Sequence, residues 1–393
     1  MKEQTELKIN PILCLESQPF FVGPVPIDAD IKIPQSLPFS LGIHPYYAIP
    51  VLIVTEEIRS ELAAAYARGS MASTPLGISS LSSSRMMETL KKLLQIFSGE
   101  IKGKAFLEIG CGTGDLLNEL KIRGADVTGV EIGPQGQAGA NKYRFRVFDQ
   151  PFTRGLIDEK FDCIFSYGCL EHIIDLDELF YASRECLRDG GLFFHSVPNS
   201  DLHFRLGTSD HLAHEHVNYF TPQNATRLFE MQGFASAGFS ISRAGNEMCI
   251  WGAYDPTIQP SWPGEEMDHV IREAEKLRQH KELLITKRER ILSKLHDMYS
   301  INRSIGFYAG GFDFSLLLPD TSKIRYFDGD PYNHGKSWLV GLPPIESPCQ
   351  LSNSPVDQLV IWKGHYFEDI VKTLKEDIHV SDDMIIHNID NWV

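Results

Sequence analysis

Short apolar runs alternate with amphipathic segments between residues 104 and 198. The runs are bounded by glycine or proline and are typical of buried strands: KAFLEIG, ADVTGVEIG, FDCIFSYG and LFFHSVPN. The segments DLLNELKIRG and LDELFYASRECLRDGG repeat apolar residues at helical spacing. Strands that alternate with helices predict an α/β fold with a doubly wound parallel sheet, which binds ligands at the carboxyl ends of its strands.

The flanking regions follow other patterns. A small polar stretch at 68–84 suits a linker or a lid, and the charged stretch at 265–298 has the apolar stripe of a helix between domains. After that helix, a strand–glycine–helix–strand–acid order repeats the order of 104–131, which predicts a second, smaller α/β domain. We predict four parts: a small N-terminal domain and lid (1–84), a central domain (85–262), a connecting helix (263–300) and a C-terminal domain (301–393).

Charge and cysteine content narrow the choice of partners and compartment. The net charge of −15 disfavours binding to nucleic acid, because an acidic protein repels phosphate backbones. The seven cysteines show no CxxC spacing, which disfavours structural zinc and disulfides and favours reduced thiols in the cytoplasm. We see no signal peptide and no apolar run long enough for a membrane span.

The segment LEIGCGTGD places glycines at 110, 112 and 114 between a predicted strand and a predicted helix. Glycines there allow a tight turn and a close approach of the backbone to a ligand. The GK[ST] of a phosphate-binding P-loop is missing, and Asp115 stands where a dinucleotide fingerprint needs glycine. A nucleoside ligand without phosphates fits this loop better.

The loop resembles the E-x-G-x-G-x-G motif of class I methyltransferases, which bind S-adenosylmethionine. Glu131 closes the next strand and is placed to accept both ribose hydroxyls. Asp149 and Gln150 occupy the place of the adenine contacts in such enzymes. The predicted cofactor is therefore S-adenosylmethionine, and its predicted contacts are Glu108, Gly110, Gly112, Gly114, Glu131, Asp149, Gln150 and Tyr167.

The segment HLAHEHVNYF, residues 211–220, follows a strand that ends at Pro198 and so lies at the substrate edge of the sheet. A metal site would use His211, His214 and His216, but their HxxHxH spacing lacks the helical pair of HExxH. A surface loop and a general-base site are the other interpretations. We favour the general base and predict no metal.

Nearly the whole chain resembles the C-methyltransferases that act on nucleotide-linked deoxysugars. That family has an N-terminal zinc domain, a central S-adenosylmethionine domain and a C-terminal Rossmann-like domain. GCLEHIIDLDELF and HEHVNYF resemble two of its segments, and the match implies that Glu215 and His216 are catalytic and that His172 lies near the methyl donor. YFDGDPYNHGKSWLVGLPPIESP resembles a segment of its third domain.

The reaction of that family forms a carbon–carbon bond beside a sugar ketone. A base removes the α proton, and histidine, which titrates near neutral pH, suits this role. We predict that His216 is the base, that Glu215 orients it or positions a hydroxyl, and that His172 donates to the enolate oxygen.

The chain departs from the family at three places. Cys14 is the only cysteine where the zinc domain should carry two pairs, which predicts a remnant without zinc. Ala213 replaces a tyrosine two residues before the catalytic glutamate, and Ala67 replaces another near YARGS, although Tyr66 is adjacent. Both family tyrosines are thought to hold the sugar or the enolate, so their loss bears on the substrate.

Two other functions remain open at this point. An O-methyltransferase acting on a sugar or natural-product hydroxyl would use the same base, and a non-catalytic scaffold would keep only the fold. The expected partner is a small molecule, with a nucleotide-linked sugar preferred, and we expect a monomer or a homodimer in the cytoplasm.

Overall fold

The chain was analysed as a computed structural model. It describes residues 8–20, 23–27, 34–67, 80–209, 211–261, 267–301, 303–311, 314, 317–318, 321 and 323–392. The predicted lid falls mostly on residues 68–79, outside this set.

The N-terminal part forms short strands and two helices. These are β1 (Pro11–Pro19), β2 (Val25–Pro26), β3 (Ser36–Ile43), β4 (Pro50–Leu52), α1 (Glu56–Ala67) and α2 (Ser80–Ile96). Strands β1, β3 and β4 pair in that order.

The central sheet has seven strands in the order β10-β11-β9-β8-β5-β6-β7. Its elements are β5 (Ala105–Ile109), α3 (Asp115–Ile122), β6 (Asp126–Val130), α4 (Pro134–Tyr143), β7 (Arg146–Phe148), β8 (Phe161–Tyr167), α5 (Leu176–Cys186), β9 (Leu187–Pro198), α6 (Ser200–Leu206), α7 (Pro222–Met231), β10 (Phe234–Ile241) and β11 (Glu247–Tyr254). Strands β5 to β9 pair in parallel, whereas β10 and β11 are antiparallel. The predicted doubly wound sheet is thus confirmed, with an antiparallel edge.

Apolar layers cover both faces of this sheet. Helices α2 and α3 pack on one face through residues such as Leu90, Leu93 and Leu117. Helices α5 and α7 cover the other, together with Tyr47, Ile49 and Val51 around β4. Part of the predicted N-terminal domain therefore shares the core of the central sheet.

The predicted helix LDELFYASRECLRDGG ends earlier than its pattern suggests. Helix α5 stops at Cys186, and Leu187 already pairs with Phe161 as the first residue of β9. Gly190, with φ +73°, follows soon after, and a register shift separates this pair from the next. Pairing with β8 therefore decides the conformation from Leu187 onward, although the sequence pattern there is helical.

A second compact unit contains a smaller, wholly parallel sheet in the order β15-β13-β12-β16-β17. The single helix α8 (Met267–Ser300) has 34 residues, and its part from Glu282 onward belongs to this unit. The remaining elements are β12 (Ile305–Tyr308), β13 (Ile324–Phe327), β14 (Lys336–Ser337), β15 (Ile345–Glu346), α9 (Gln350–Asn353), β16 (Gln358–Ile361), α10 (Phe367–Glu376) and β17 (Ile385–Asn388). Within the described ranges, no helix combines the length and the apolar character needed to cross a bilayer.

Candidate active site

A cavity of about 730 Å³ opens at the carboxyl ends of β5, β6 and β8 in the first compact unit. Seven of the predicted site residues line it: Gly110, Gly112, Glu131, Tyr167, His172, Glu215 and His216. The folded chain thus brings the predicted cofactor loop and the histidine segment to one cavity, although about a hundred residues separate them.

The glycine loop turns sharply after β5. Gly110 and Gly114 have φ angles of +68° and +73°, a region that side chains other than glycine rarely adopt. A Cβ at Gly110 would lie 2.6 Å from the Sγ of Cys169, and one at Gly114 would meet the ring of Phe145. The chain therefore requires glycine at both positions, although Gly114 itself does not line the cavity.

Glu131 closes β6 beside this loop. Its two carboxylate oxygens accept hydrogen bonds from the backbone N–H groups of Gly112 (2.9 Å) and Gly133 (2.8 Å). Burial raises the pKa of Glu131, and these hydrogen bonds oppose the rise. The carboxylate is held at the cavity wall, where it can accept from a ribose.

Besides Gly114, three of the predicted cofactor contacts lie away from the cavity wall. Glu108 is buried beneath the loop, and burial raises its pKa well above the ordinary value. Asp149 and Gln150 are exposed, and the wall near them is formed by Pro151, Phe152 and Thr153.

The histidine segment, residues 211–220, is hydrogen-bonded to the turn 170–173, which follows β8. The carbonyl of Glu171 accepts from the backbone N–H groups of Val217 (2.8 Å) and Asn218 (3.0 Å). The Asn218 amide donates to the carbonyl of Ile173 at 2.7 Å. On the other side of the histidine segment, the carbonyl of Val217 accepts a hydrogen bond from the N–H of Leu52 in β4. Beyond the segment, Thr221 and Asn224 form a capping box that starts α7.

Within this frame, a hydrogen bond fixes the tautomer of His216. Its Nδ1 lies 2.8 Å from the carbonyl oxygen of His211. A carbonyl oxygen only accepts, so the proton of the neutral ring is on Nδ1 and the lone pair is on Nε2. Burial lowers the pKa of His216 to about 4, so the ring is neutral at physiological pH. This is the state that a general base needs.

His172 adopts the same state, because its Nδ1 lies 2.8 Å from the carbonyl oxygen of Glu215. Burial, with a contribution from His216, lowers its pKa to about 3. The ring centroids of the two histidines are 5.2 Å apart. A neutral ring with its proton on Nδ1 has no N–H left for an enolate oxygen, so the donor role predicted for His172 does not fit this tautomer.

The buried carboxyl group of Glu171 and the partly buried one of Glu215 flank these rings. Burial raises the pKa values of Glu171 and Glu215 to about 8. The Oε1 of Glu171 lies 3.7 Å from Nε2 of His172, and the Oε2 of Glu215 lies 4.0 Å from Nδ1 of His172. Both carboxyl groups are largely protonated near neutral pH and can donate a hydrogen bond.

Tyr66, not Ala67, lines the cavity from α1. Burial raises the pKa of Tyr66, and the nearby Glu215 raises it further. Its hydroxyl therefore remains a donor throughout the ordinary pH range. A tyrosine is thus present at this wall. At the position of the second family tyrosine the chain has Ala213 instead.

The three histidines of the alternative metal site do not converge. His214 packs edge-on against Phe39 at 5.3 Å between ring centroids, and His211 stacks on His203 at 4.3 Å. In the part of the chain that the structure describes, the donor atoms of Glu171, His172 and His216 do lie within 4.8 Å of one another. A cation held there would take up the lone pairs on which base chemistry depends. The absence of a metal stays a prediction.

Tyr66, Arg85 and Glu171 are polar residues of the wall to which the sequence analysis gave no role. Glu171 adjoins His172 in LEHI, and Tyr66 adjoins the position assigned to Ala67, so both were close to a recognised segment. Arg85 begins a helical apolar pattern and carries no signal of its own.

Residues 83–236 match the family model of a methyltransferase domain. Among curated proteins, the ubiquinone biosynthesis O-methyltransferase of Aeromonas salmonicida is 27% identical over 154 residues, covering 35% of this chain and 65% of that protein. Its counterpart from Pseudomonas putida strain GB-1 is 30% identical over 107 residues, 25% of this chain and 46% of the relative. The chain spans less than two thirds of either relative.

Solved structures are similar at lower identity. The 1,6-didemethyltoxoflavin-N1-methyltransferase of Burkholderia thailandensis has a TM-score of 0.39 at 17% identity, covering 59% of this chain and 99% of that one. The magnesium protoporphyrin IX methyltransferase of Synechocystis has a TM-score of 0.36 at 14% identity, covering 44% and 84%. Residues 83–236, which contain most of the central sheet, are thus similar to a methyltransferase domain.

Proposed function

We propose that the protein is an S-adenosylmethionine-dependent methyltransferase that methylates a carbon beside the ketone of a nucleotide-linked sugar. The observation that carries this proposal is the neutral His216, whose proton is on Nδ1 and whose ring lines the same cavity as the glycine loop and Glu131. The sugar substrate rests on the family resemblance of HEHVNYF and its neighbouring segments.

The cofactor fits the residues of the cavity. Gly110 and Gly112 leave room for a ligand to approach the backbone, and the Glu131 carboxylate can accept from ribose hydroxyls. When bound, S-adenosylmethionine supplies an electrophilic methyl group on a sulfonium.

His216 takes the α proton of the substrate onto Nε2, and the resulting imidazolium keeps its other N–H bond to the carbonyl of His211. The electron pair of the broken C–H bond passes into the enolate, which makes the α carbon the nucleophile. Bound S-adenosylmethionine would supply the methyl group, and its sulfur would keep the C–S electron pair. Tyr66 and the protonated carboxyl groups of Glu171 and Glu215 are the available donors to the enolate oxygen, because His172 offers no free N–H. Glu215 holds His172 through its backbone carbonyl.

Methylation of a hydroxyl is the second candidate, and the curated relatives named as O-methyltransferases favour it. His216 would then take the proton from oxygen, with the same tautomer. No enolate would form, and the donors around Tyr66 would position the acceptor.

Deuterium exchange separates these reactions. The full-length protein is incubated in deuterated water with nucleotide-linked keto sugars and S-adenosylhomocysteine, and the sugar is analysed by NMR. The proposal expects deuterium at the carbon beside the ketone, and expects none with His216→Asn. Turnover of a sugar with S-adenosylmethionine but without this exchange would favour the hydroxyl acceptor, and failure to bind S-adenosylmethionine would leave only a scaffold.

A further inference from the structure

We propose that Arg85 binds the carboxylate of the methionine part of S-adenosylmethionine. In the absence of this ligand, Glu247 forms an ion pair with the same guanidinium, and the ligand's carboxylate replaces it. The inference rests on the proposed cofactor and adds a contact for its amino-acid end. It concerns the first compact unit alone.

The order of strands sets the direction of the ligand. From Glu131 at β6, the sheet edge passes Gly110 at β5, Tyr167 at β8 and Ser196 at β9 before it reaches Glu247 at β11. With the ribose at Glu131 and the methyl group near the histidines, the amino-acid end points toward β8 and β9. Arg85 forms an ion pair with Glu247 and thus lies on that flank.

Charge in the cavity supports the same placement. Six carboxyl residues line it: Glu131, Glu171, Asp175, Glu178, Glu215 and Glu247. Of the described residues at this wall, Arg85 is the only lysine or arginine. S-adenosylmethionine carries two positive groups, the sulfonium and the ammonium, which suit an acidic cavity. Its single anionic group has one cationic partner at this wall.

The guanidinium has unused hydrogen-bonding capacity. Its Nε is buried and has no hydrogen-bond partner among the described residues. Its side chain is still 40% exposed, so it remains accessible from the cavity. Burial raises the pKa values of Tyr167 and Glu171, and the charge of Arg85 opposes both shifts, which places the guanidinium near both side chains. Planar guanidinium groups bind carboxylates through two parallel hydrogen bonds.

A second cavity of about 260 Å³ offers space for the side chain of Glu247 once its carboxylate has left Arg85. Arg85, Ser196 and Glu247 line both cavities, so they form the partition between them. The second cavity is also lined by Lys91, Lys92 and Arg243. A carboxylate that leaves Arg85 therefore remains beside cations, which lowers the cost of the exchange.

Decarboxylated S-adenosylmethionine tests this contact because it lacks only the carboxylate. Calorimetry would compare both ligands on the full-length wild type, Arg85→Gln and Lys92→Gln, the last altering a cation of the second cavity alone. Arg85→Gln should weaken S-adenosylmethionine binding about 10- to 100-fold without weakening the decarboxylated ligand, since a charged hydrogen bond is lost. Lys92→Gln should keep the wild-type ratio of the two affinities. A wild-type ratio in Arg85→Gln would overturn the inference.

Glu247→Gln provides an independent arm that leaves Arg85 intact. Removing the competing carboxylate should tighten S-adenosylmethionine several-fold and leave the decarboxylated ligand unchanged. Equal changes for both ligands would count against the exchange. If the wild type binds neither ligand, the proposed function fails; if it binds S-adenosylmethionine but Arg85→Gln keeps the ratio, only this inference fails.

Discussion

At the scale of single residues, the carbonyl of His211 decides which nitrogen of His216 can accept a proton. His216→Asn removes that acceptor while an amide of similar size keeps its place. Positioned acid–base catalysis contributes about 100- to 10,000-fold, so we expect turnover to fall by that factor with unchanged S-adenosylmethionine affinity. Rate assays and calorimetry would measure both.

His296→Asn is the matched control, because His296 is exposed on α8 and the same substitution there should leave the rate unchanged. His214 is less suitable, since it is buried against Phe39. Full activity in His216→Asn would assign the base to another residue.

The pH dependence of the rate follows from the burial of His216. Its pKa is lowered to about 4, so the base stays unprotonated well below 6.5 and is lost only as the pH falls through about 4. We expect the acid limb of kcat/KM near pH 4 to 5, and NMR titration of the ring should give the same midpoint. The carboxyl groups of Glu171 and Glu215 should produce a second transition near pH 8, where they lose their protons. An acid limb at 6.5 would contradict this account.

Glu131→Ala tests the ribose contact. Hydrogen bonds to a charged group contribute about 1.5–3 kcal/mol, so S-adenosylmethionine should bind roughly 10- to 100-fold more weakly. Asp149→Ala is the comparison, because Asp149 is exposed and outside the cavity wall. Calorimetry that finds an equal loss in both variants would restore the adenine contact that the resemblance implies; unchanged affinity in Glu131→Ala would remove the ribose contact.

At the scale of elements, two loops and a short strand share one set of hydrogen bonds, in which Asn218 is the main side chain. Asn218→Ala leaves the partly buried carbonyl of Ile173 without its donor, which should cost about 1–3 kcal/mol of unfolding free energy. Because the same loop carries His216, turnover should fall as well. Urea denaturation and rate assays would measure these effects.

Asn141→Ala, on the exposed face of α4, should change stability by about 0.5 kcal/mol or less. If Asn218→Ala were equally mild, the amide of Asn218 would not be what holds the loop.

Elements differ in how far the sequence could predict them. Strands β5, β6, β8 and β9 follow from their apolar runs, since burial on both faces demands such runs. The pairing of β4 with Val217 could not be foreseen, because a three-residue strand bonded to a loop leaves no periodic signal. The position of the family tyrosine was assigned to Ala67, one residue beyond Tyr66 in α1, and a single step along a helix turns a side chain by about 100°. The tautomer of His172 depends on a carbonyl 43 residues away and has no local signature.

At the scale of the whole molecule, five of the described histidines are held in their neutral form: His44, His195 and His280 are buried, and His172 and His216 are partly buried. Burial lowers the pKa values of His44, His172, His195, His216 and His280 to about 3 to 4. Above pH 6.5, which is the pKa of histidine in the unfolded chain, each ring makes its full contribution to the free energy of unfolding. This contribution is lost as the pH falls toward 4. Glu171 and Glu215 act oppositely, because their raised pKa values favour the folded state at low pH.

Four further carboxyl groups act in the same direction as Glu171 and Glu215, because burial also raises the pKa values of Glu108, Glu131, Asp177 and Asp328. The histidines and the carboxyl groups therefore offset one another in the pH dependence of unfolding between pH 6.5 and 4.5.

The backbone hydrogen bond between Leu52 and Val217 also limits the order in which parts of the chain can fold during synthesis. Strand β4 leaves the ribosome long before residues 217–219 exist, and the loop that carries His216 cannot be fixed until both are available. At about 5 to 20 residues per second, that delay is roughly 8 to 33 s. The glycine loop and Glu131 emerge much sooner and lie close together in sequence. During synthesis, the nascent chain can therefore complete its cofactor pocket well before its base is in position, and the last event is the closure of a contact between residues far apart in the chain.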